Sequence, residues 1–191
     1  TSIREAIANA GRLMKEGGCD VVKLEGGATF SPTVEAIVKA GIPVQGHIGL
    51  TPQTASALGG FKMQGKDASA AKQIIDDARA LEAAGAFSII LEAVPAPLGQ
   101  LVAQSVKVPV IGIGAGPDVD GQVLVTHDMV GLFDKFVPKF VKQYTQIRPI
   151  ILDALREYRK EVLEVKFPGP EHSFKMPAET LKQLKKMAKS S

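Results

Sequence analysis

The segment LEAAGAFSIILEAVP, residues 81–95, contains the pattern that decides the fold. The end of a helical pattern meets Gly85, a short apolar run follows from Phe87 to Leu91, and Glu92 comes directly after it. Glycine commonly ends helices, and a short continuous apolar run is typical of a strand that is buried on both faces of a parallel sheet. This segment therefore predicts a helix, a turn, a buried strand and a loop, in that order.

Four other segments repeat the strand and loop part of this pattern. They are CDVVKLEGG at 19–27, IPVQGHIGLTP at 42–52, VPVIGIGAG at 108–116 and, as the weakest candidate, QVLVTHDMVGL at 122–132. Apolar residues at helical spacing predict helices between them. The predicted helices run from Ser2, in a capping-box pattern with Glu5, to before Gly17; from Ser31 and Pro32 to Gly41; from Ser69 to Ala84; around residues 98–105; and from Ile147 to Val165, with an interruption near Pro149.

The regular alternation of strands with crossover helices predicts an α/β fold with a parallel sheet, either doubly wound or closed as a (βα)8 barrel. Both architectures place their chemistry at the carboxyl ends of the strands, which is where the polar residues of this chain gather. Residues 1–167 are predicted to form the βα units of a single barrel domain. Residues 168–191 contain no strand pattern, and they predict a loop followed by a short basic helix from Pro177.

Composition limits the class of protein. The chain of 191 residues is 45% hydrophobic and 23% charged, which is typical of a globular domain with a core. Its net charge of +3 is not gathered into the basic or aromatic-interleaved patches that bind nucleic acid, and no apolar stretch approaches the roughly 18 residues that span a membrane. The one cysteine, Cys19, excludes an internal disulfide and favours the cytoplasm, and we predict it to be buried and inert. A start at Thr1, without Met or a leader pattern, indicates a chain cut in mid-domain.

Four residues at the predicted strand ends are candidates for chemistry. Glu92 follows a buried run, where a carboxylate suits a general base, although a helix cap or a solvated loop acid is the plainer alternative. Lys23 and Glu25 are two apart on one strand and therefore share a face. Such a pair suits an anionic substrate and a hard metal ion, or else forms a structural ion pair. His47 has two interpretations: it is a functional residue that polarises a carbonyl or orients a substrate, or it is a hydrogen-bonded core residue.

Two further motifs allow more than one interpretation. The glycine-rich run GIGAG, from Gly112 to Gly116, allows close backbone approach to a phosphate or carboxylate, but it is equally consistent with a tight turn at a barrel mouth. It lacks the GxGxxG spacing of a dinucleotide site. His127 and Asp128 orient one another or a ligand, or have a structural role.

A set of ordered segments resembles the ketopantoate hydroxymethyltransferase family over nearly the whole chain. The segments are VVKLEGG at 21–27, VQGHIGLTPQ at 44–53, GGFKMQGK at 59–66, LEAAGAFSIILEAVP at 81–95, VPVIGIGAGPDVDGQVLVTHDMVGL at 108–132, PKF at 138–140 and PGPEHSF at 168–174. The stretches GHIGLTPQ and DGQVLVTHD are nearly diagnostic of the family. The resemblance implies a (βα)8 TIM barrel of the phosphoenolpyruvate/pyruvate type that lacks roughly its first three βα units here.

The resemblance also implies an activity and a site. The family transfers a one-carbon unit from 5,10-methylenetetrahydrofolate to 3-methyl-2-oxobutanoate, requires Mg²⁺, and commonly forms large homo-oligomers such as decamers. By resemblance, Lys23 and His47 bind substrate, Glu25 lies at the metal, and Glu92 accepts the proton. The first three βα units, which supply two further aspartates of the metal site, are expected in a missing N-terminal segment of the same protein.

Two other functions remain open at this point. One is a magnesium-dependent carbon–carbon lyase that acts on a 2-oxo acid on a related barrel. The other is a catalytically silent barrel fragment that acts in assembly.

Overall fold

Short apolar segments form the five strands of one parallel sheet, and a helix precedes each of the first four. The computed structural model describes residues 2–57 and 59–189. The strands are β1 (Val22–Glu25), β2 (Val44–Gly49), β3 (Ser88–Glu92), β4 (Val110–Ile113) and β5 (Gly121–Gln122). The helices are α1 (Ile3–Lys15), α2 (Ser31–Lys39), α3 (Ala68–Ala83), α4 (Ala96–Ser105), α5 (Thr126–Met129), α6 (Ile147–Leu163) and α7 (Ala178–Met187).

The order of the strands distinguishes between the two predicted architectures. Every strand is parallel to its neighbours, and the sheet order β1-β2-β3-β4-β5 follows the chain without reversal. A doubly wound sheet reverses its strand order at a switch point, whereas each strand of a βα barrel lies beside the next one. The fold is therefore of the barrel type. Among the described residues β1 pairs only with β2 and β5 only with β4, so the strands form an open arc.

The two faces of the arc differ in chemistry because successive side chains of a strand point to opposite faces. One face packs on the helices and forms the core. Its largest fully buried side chains are Val34, Val44, Ile48, Leu81, Ile89, Leu91, Val102 and Val110. Burial of each such side chain contributes about 1.5–3 kcal/mol. The other face carries Lys23, Glu25, His47 and Glu92, which belong to the alternate positions of β1, β2 and β3.

Helix α3 shows how the sequence sets the packing. The Asp67 side chain caps the helix by accepting a hydrogen bond of 2.9 Å from a backbone N–H of the first turn. Ile74, Ala78 and Leu81, spaced by four and three residues, form its buried face. Gly46 of β2 makes room for this face, since a Cβ there would lie 2.7 Å from Cδ1 of Leu81. A small residue on the strand thus allows the helix to approach closely.

The predicted capping box of α1 is confirmed. The backbone N–H of Glu5 donates to the Ser2 hydroxyl at 3.2 Å, and the Ser2 backbone N–H donates to the Glu5 carboxylate at 2.8 Å. The Ser2 backbone N–H and the Ser2 hydroxyl, which donates to the Glu5 carboxylate at 3.0 Å, favour the charged carboxylate, so they lower the pKa of Glu5 below its ordinary value.

Three local predictions are wrong. Of the predicted strand 122–132 only Gln122 pairs in the sheet, as the second residue of β5, and the helix α5 follows; Val123 and Val125 are exposed, so extending the strand would bury little. Pro149 does not interrupt α6, because it is the third residue of the helix, where a backbone N–H has no intrahelical partner. Cys19 is exposed and not buried, since it lies in the loop before β1 begins.

The later helices are largely exposed. No residue of α6 or α7 is buried. The helix expected from Pro177 is present as α7, and the division of the chain into two parts at residue 167 stays a prediction. Within residues 2–57 and 59–189, no helix is long and apolar enough to cross a bilayer.

Gly49 provides a test of the fold where it meets the site. Its φ is +85°, which L side chains rarely adopt, and a Cβ there would collide with the Glu92 carbonyl oxygen. Replacing Gly49 with Ala should therefore lower the free energy of unfolding by about 2 kcal/mol. The control is Gly11→Ala inside α1, where a Cβ would meet open space, and a gain of about 0.5–1 kcal/mol is expected. Thermal unfolding of the complete protein measures both, and equal stability of the two variants would contradict the packing described.

Candidate active site

The four candidate residues lie together at the carboxyl ends of three neighbouring strands. Lys23 and Glu25 are on β1, His47 is on β2 and Glu92 ends β3. The parallel register places Glu25 beside His47, and it places Gly49, two residues further along β2, beside Glu92. His47 therefore stands between the two carboxylates.

His47 contacts each of the other three side chains. Its Nδ1 is 3.1 Å from Nζ of Lys23 and 3.7 Å from Oε1 of Glu25, and its Nε2 is 3.1 Å from Oε2 of Glu92. The residue is only 2% exposed, because β2 is paired on both sides. Although the distance to Glu92 is within hydrogen-bonding range, Nε2 makes no hydrogen bond of acceptable geometry. The two side chains therefore lie close together without forming a hydrogen bond.

Glu25 is held firmly, whereas Lys23 reaches solvent. Oε2 of Glu25 accepts a hydrogen bond of 3.0 Å from the backbone N–H of Gln53, and Oε1 lies 3.4 Å from Nζ of Lys23. The side chain of Glu25 is 8% exposed and that of Lys23 is 45% exposed. An ion pair with one half-exposed partner contributes at most about 1 kcal/mol to the free energy of unfolding, so the Lys23–Glu25 pair adds little to stability. Lys23 remains accessible to an anion.

Backbone hydrogen bonds around Ala93 position Glu92. The Glu92 carbonyl accepts from the N–H of Leu50 at 2.9 Å, and the N–H of Ala93 donates to the carbonyl of Ile113 at 2.8 Å. Ala93 has a φ of +50°, a left-handed conformation that costs a non-glycine residue about 1 kcal/mol or more. The carbonyl of Ala93 accepts from Gln64, so contacts on both sides maintain the strained conformation. Nothing in the sequence indicates this turn, since alanine has no preference for a left-handed φ.

Asp77 was also not predicted, and it anchors the loop that follows Glu25. Its Oδ1 accepts from the backbone N–H of Ala28 at 2.7 Å and from the Gln73 side chain at 3.0 Å. Gly27 lies against this carboxylate so closely that a Cβ would collide with it. The double glycine after Glu25, which was interpreted from the sequence only as part of a loop, is the signal that could have indicated a close approach at this point.

The glycine run borders the four residues, because Ile113 within it pairs with Glu92 in the sheet. The glycine run packs on its own chain: a Cβ at Gly116 would collide with Ala96, and a Cβ at Gly114 would lie 2.6 Å from the ring of Phe140. This packing favours the tight-turn interpretation. His127 and Asp128 belong to the short helix α5, and no hydrogen bond or ion pair links them to the four residues within the described part of the chain.

Comparison with known proteins identifies the family. The family described as ketopantoate hydroxymethyltransferase matches residues 1–170. The chain belongs to this family. Proteins named 3-methyl-2-oxobutanoate hydroxymethyltransferase are similar to it: the one from Heliobacterium modesticaldum is 59% identical over 93% of this chain, and the one from Syntrophobacter fumaroxidans is 56% identical over 96%. The chain spans only 64% and 65% of the length of these two relatives.

The resemblance to the ketopantoate hydroxymethyltransferase family implies magnesium, and the side chains fit this ion in part. Magnesium is commonly held by one or two carboxylates together with water and substrate oxygens. Glu25 is one such carboxylate, fixed in place with its side chain largely buried. In the parts of the chain that the structure describes, no group of three or more His, Cys, Asp or Glu residues is arranged to hold a metal ion. This chain therefore fits the ion as the source of one ligand and not as a complete metal site.

The anchoring role of Asp77 leads to a stability test. Asp77→Ala removes a charged acceptor from the N–H of Ala28, so the free energy of unfolding should fall by about 1.5–3 kcal/mol. The matched control is Asp76→Ala on the same helix, where the lost ion pair to Lys72 is exposed and contributes less than about 0.5 kcal/mol. The measurement is the thermal unfolding of the complete protein. Equal losses in the two variants would show that Asp77 does not anchor the loop.

Proposed function

We propose that the complete protein transfers a hydroxymethyl group from 5,10-methylenetetrahydrofolate to 3-methyl-2-oxobutanoate, giving 2-dehydropantoate for pantothenate biosynthesis. The observation that carries the proposal is the convergence of Lys23, Glu25 and Glu92 around His47 at the carboxyl ends of β1, β2 and β3. Membership of the ketopantoate hydroxymethyltransferase family and the names of the similar proteins support the same substrate.

Lys23 binds the carboxylate of the oxo acid in this proposal. Its ammonium group has three donors, and its half-exposed side chain leaves it reachable from solvent. The neighbouring Glu25 keeps the ammonium group near the strand ends at 3.4 Å. A fixed positive charge at this point orients the substrate with its C3 toward β3.

Glu92 is the general base. It accepts the proton from C3 of the oxo acid, and the resulting enolate carbon bonds to the methylene carbon of the folate as one way of forming the new C–C bond: both C–N bonds of that methylene carbon break, water supplies the hydroxyl group, and tetrahydrofolate leaves. The Glu92 side chain is 15% exposed, so it is sheltered by the sheet and still accessible to a bound molecule. The backbone contacts at Ala93 hold its position, which matters because proton transfer requires close contact with the donor atom.

Glu25 would hold magnesium. The ion, when bound, supplies positive charge beside the keto oxygen as negative charge develops there. Glu25 suits this role because the Gln53 N–H fixes one oxygen of its carboxylate. The remaining protein ligands would come from a segment outside residues 1–191, in keeping with relatives that are longer than this chain. A homo-oligomer such as a decamer and a cytoplasmic location complete the proposal.

Replacing the proposed base tests the reaction. Glu92→Gln keeps the shape of the side chain and removes its ability to accept a proton, so kcat should fall about 100-fold or more while KM for the oxo acid changes little. The assay follows folate-dependent ketopantoate formation by the complete protein. Glu35→Gln, on the exposed face of α2, is the control and should keep normal turnover. Near-normal turnover of Glu92→Gln would contradict the assignment.

Magnesium binding tests the role of Glu25 without turnover. Glu25→Gln retains an oxygen that accepts from Gln53, but it removes the charge that attracts the ion. The dissociation constant for Mg²⁺, measured by calorimetric titration of the complete protein, should rise about tenfold or more. Glu35→Gln again serves as the control. An unchanged titration for Glu25→Gln would exclude it as a ligand.

A further inference from the structure

We infer that His47 is a positioning residue: Lys23 fixes its imidazole in the form protonated at Nε2, and this N–H orients the carboxylate of Glu92. The inference deepens the proposed function and rests on it, since it concerns the proposed base of the same site. It assigns to His47 an action on Glu92 instead of direct contact with the substrate.

The contact with Lys23 determines which ring nitrogen carries the proton. An ammonium group has only donors, so Nδ1 of His47, 3.1 Å from Nζ, must accept with its lone pair. In a neutral imidazole the proton is then on Nε2. Oε1 of Glu25 would favour a proton on Nδ1, but it is 3.7 Å away, beyond the range of a hydrogen bond, and it already lies near Nζ of Lys23. The shorter contact therefore decides the tautomer.

The protonated Nε2 faces the proposed base. It lies 3.1 Å from Oε2 of Glu92, and it is buried without a hydrogen bond of good geometry. A buried donor without a hydrogen bond is unfavourable, so the arrangement favours any state that aligns the Nε2–H with the Glu92 carboxylate. Hydrogen bonds in active sites are often poorly aligned before substrate binds, and they tighten in the complex. Alignment of Oε2 with His47 leaves Oε1 of Glu92 for the proton at C3.

The surroundings leave the imidazole little freedom. His47 lies on a strand paired on both sides, and its carbonyl accepts from the N–H of Gly26 at 2.9 Å. Its 2% exposure leaves almost no access for water as an alternative partner. Lys23 has three N–H donors, so it can hold Nδ1 and bind an anionic substrate at the same time. His47 therefore connects Lys23, the proposed substrate-binding cation, to Glu92, the proposed base.

Two amide variants separate the two ring positions. The amide nitrogen of Gln reaches the position of Nε2, whereas that of Asn reaches only the position of Nδ1. In the complete protein, His47→Gln should keep kcat within about tenfold of the wild type, and His47→Asn should lower it about 100-fold, with KM for the oxo acid similar in both. The exposed His127→Gln is the control and should keep normal kcat. If His47→Asn is as active as His47→Gln, or if kcat simply follows thermal stability in both, the inference is overturned.

The tautomer can be measured without any turnover. In protein labelled with ¹⁵N in the histidine rings, the His47 signals are identified by their loss in His47→Gln, and NMR shows which nitrogen is protonated. The wild type should show protonated Nε2 and unprotonated Nδ1. Lys23→Met should shift the proton toward Nδ1, because Glu25 is then the nearest group to that nitrogen. A proton on Nδ1 in the wild type would overturn the inference whatever the activity. If the wild type shows the expected tautomer but forms no ketopantoate, the inference about His47 stands and the proposed function is contradicted.

Discussion

The parallel register of β1, β2 and β3 is the constraint on which the site depends. Side chains of neighbouring parallel strands meet only if the strands are aligned, and here the pairing of Glu25 with His47 and of Gly49 with Glu92 brings one imidazole within 3.1–3.7 Å of a cation and two carboxylates. The alternation of side chains along each strand then decides which face each residue occupies. It directs these polar groups to one face, while buried aliphatic residues such as Ile48, Ile89 and Leu91 pack against the helices on the other.

Close packing around the strand ends maintains this register. Gly49 lies against the carbonyl of Glu92 and Gly27 against the carboxylate of Asp77, so neither position has room for a side chain. Ala93 adopts a left-handed conformation because hydrogen bonds from two other segments hold both its N–H and its carbonyl. Strain of this kind persists only where the surroundings specify it, and it is found most often at functional sites.

Because the described strands form an open arc, they carry some of the groups that the proposed reaction requires and lack others. Two carboxylates, a cation and a histidine between them are present on three strands, but the described residues offer no group of three or more His, Cys, Asp or Glu residues that could hold a metal ion. The exposed apolar residues of α6, among them Ile150, Leu155 and Tyr158, are typical of a face that contacts other protein. Both observations agree with a chain that spans about 65% of the length of its relatives.

The sequence alone determined the fold class and the residue types of the site, because both depend on local patterns. Buried strands of parallel sheets have continuous apolar runs, and polar residues within or at the end of such runs indicate where the sheet carries its chemistry, as Lys23, Glu25, His47 and Glu92 did. Only the tertiary structure decided what depends on contacts distant in the chain. The left-handed Ala93, the anchoring of the Ala28 backbone by Asp77 and the contact of Lys23 with His47 depend on residues 20 or more positions away, and no local pattern reports them. For the same reason the burial of Cys19 and the strand at 122–132 were wrongly predicted, since each requires a covering partner that the local sequence does not specify.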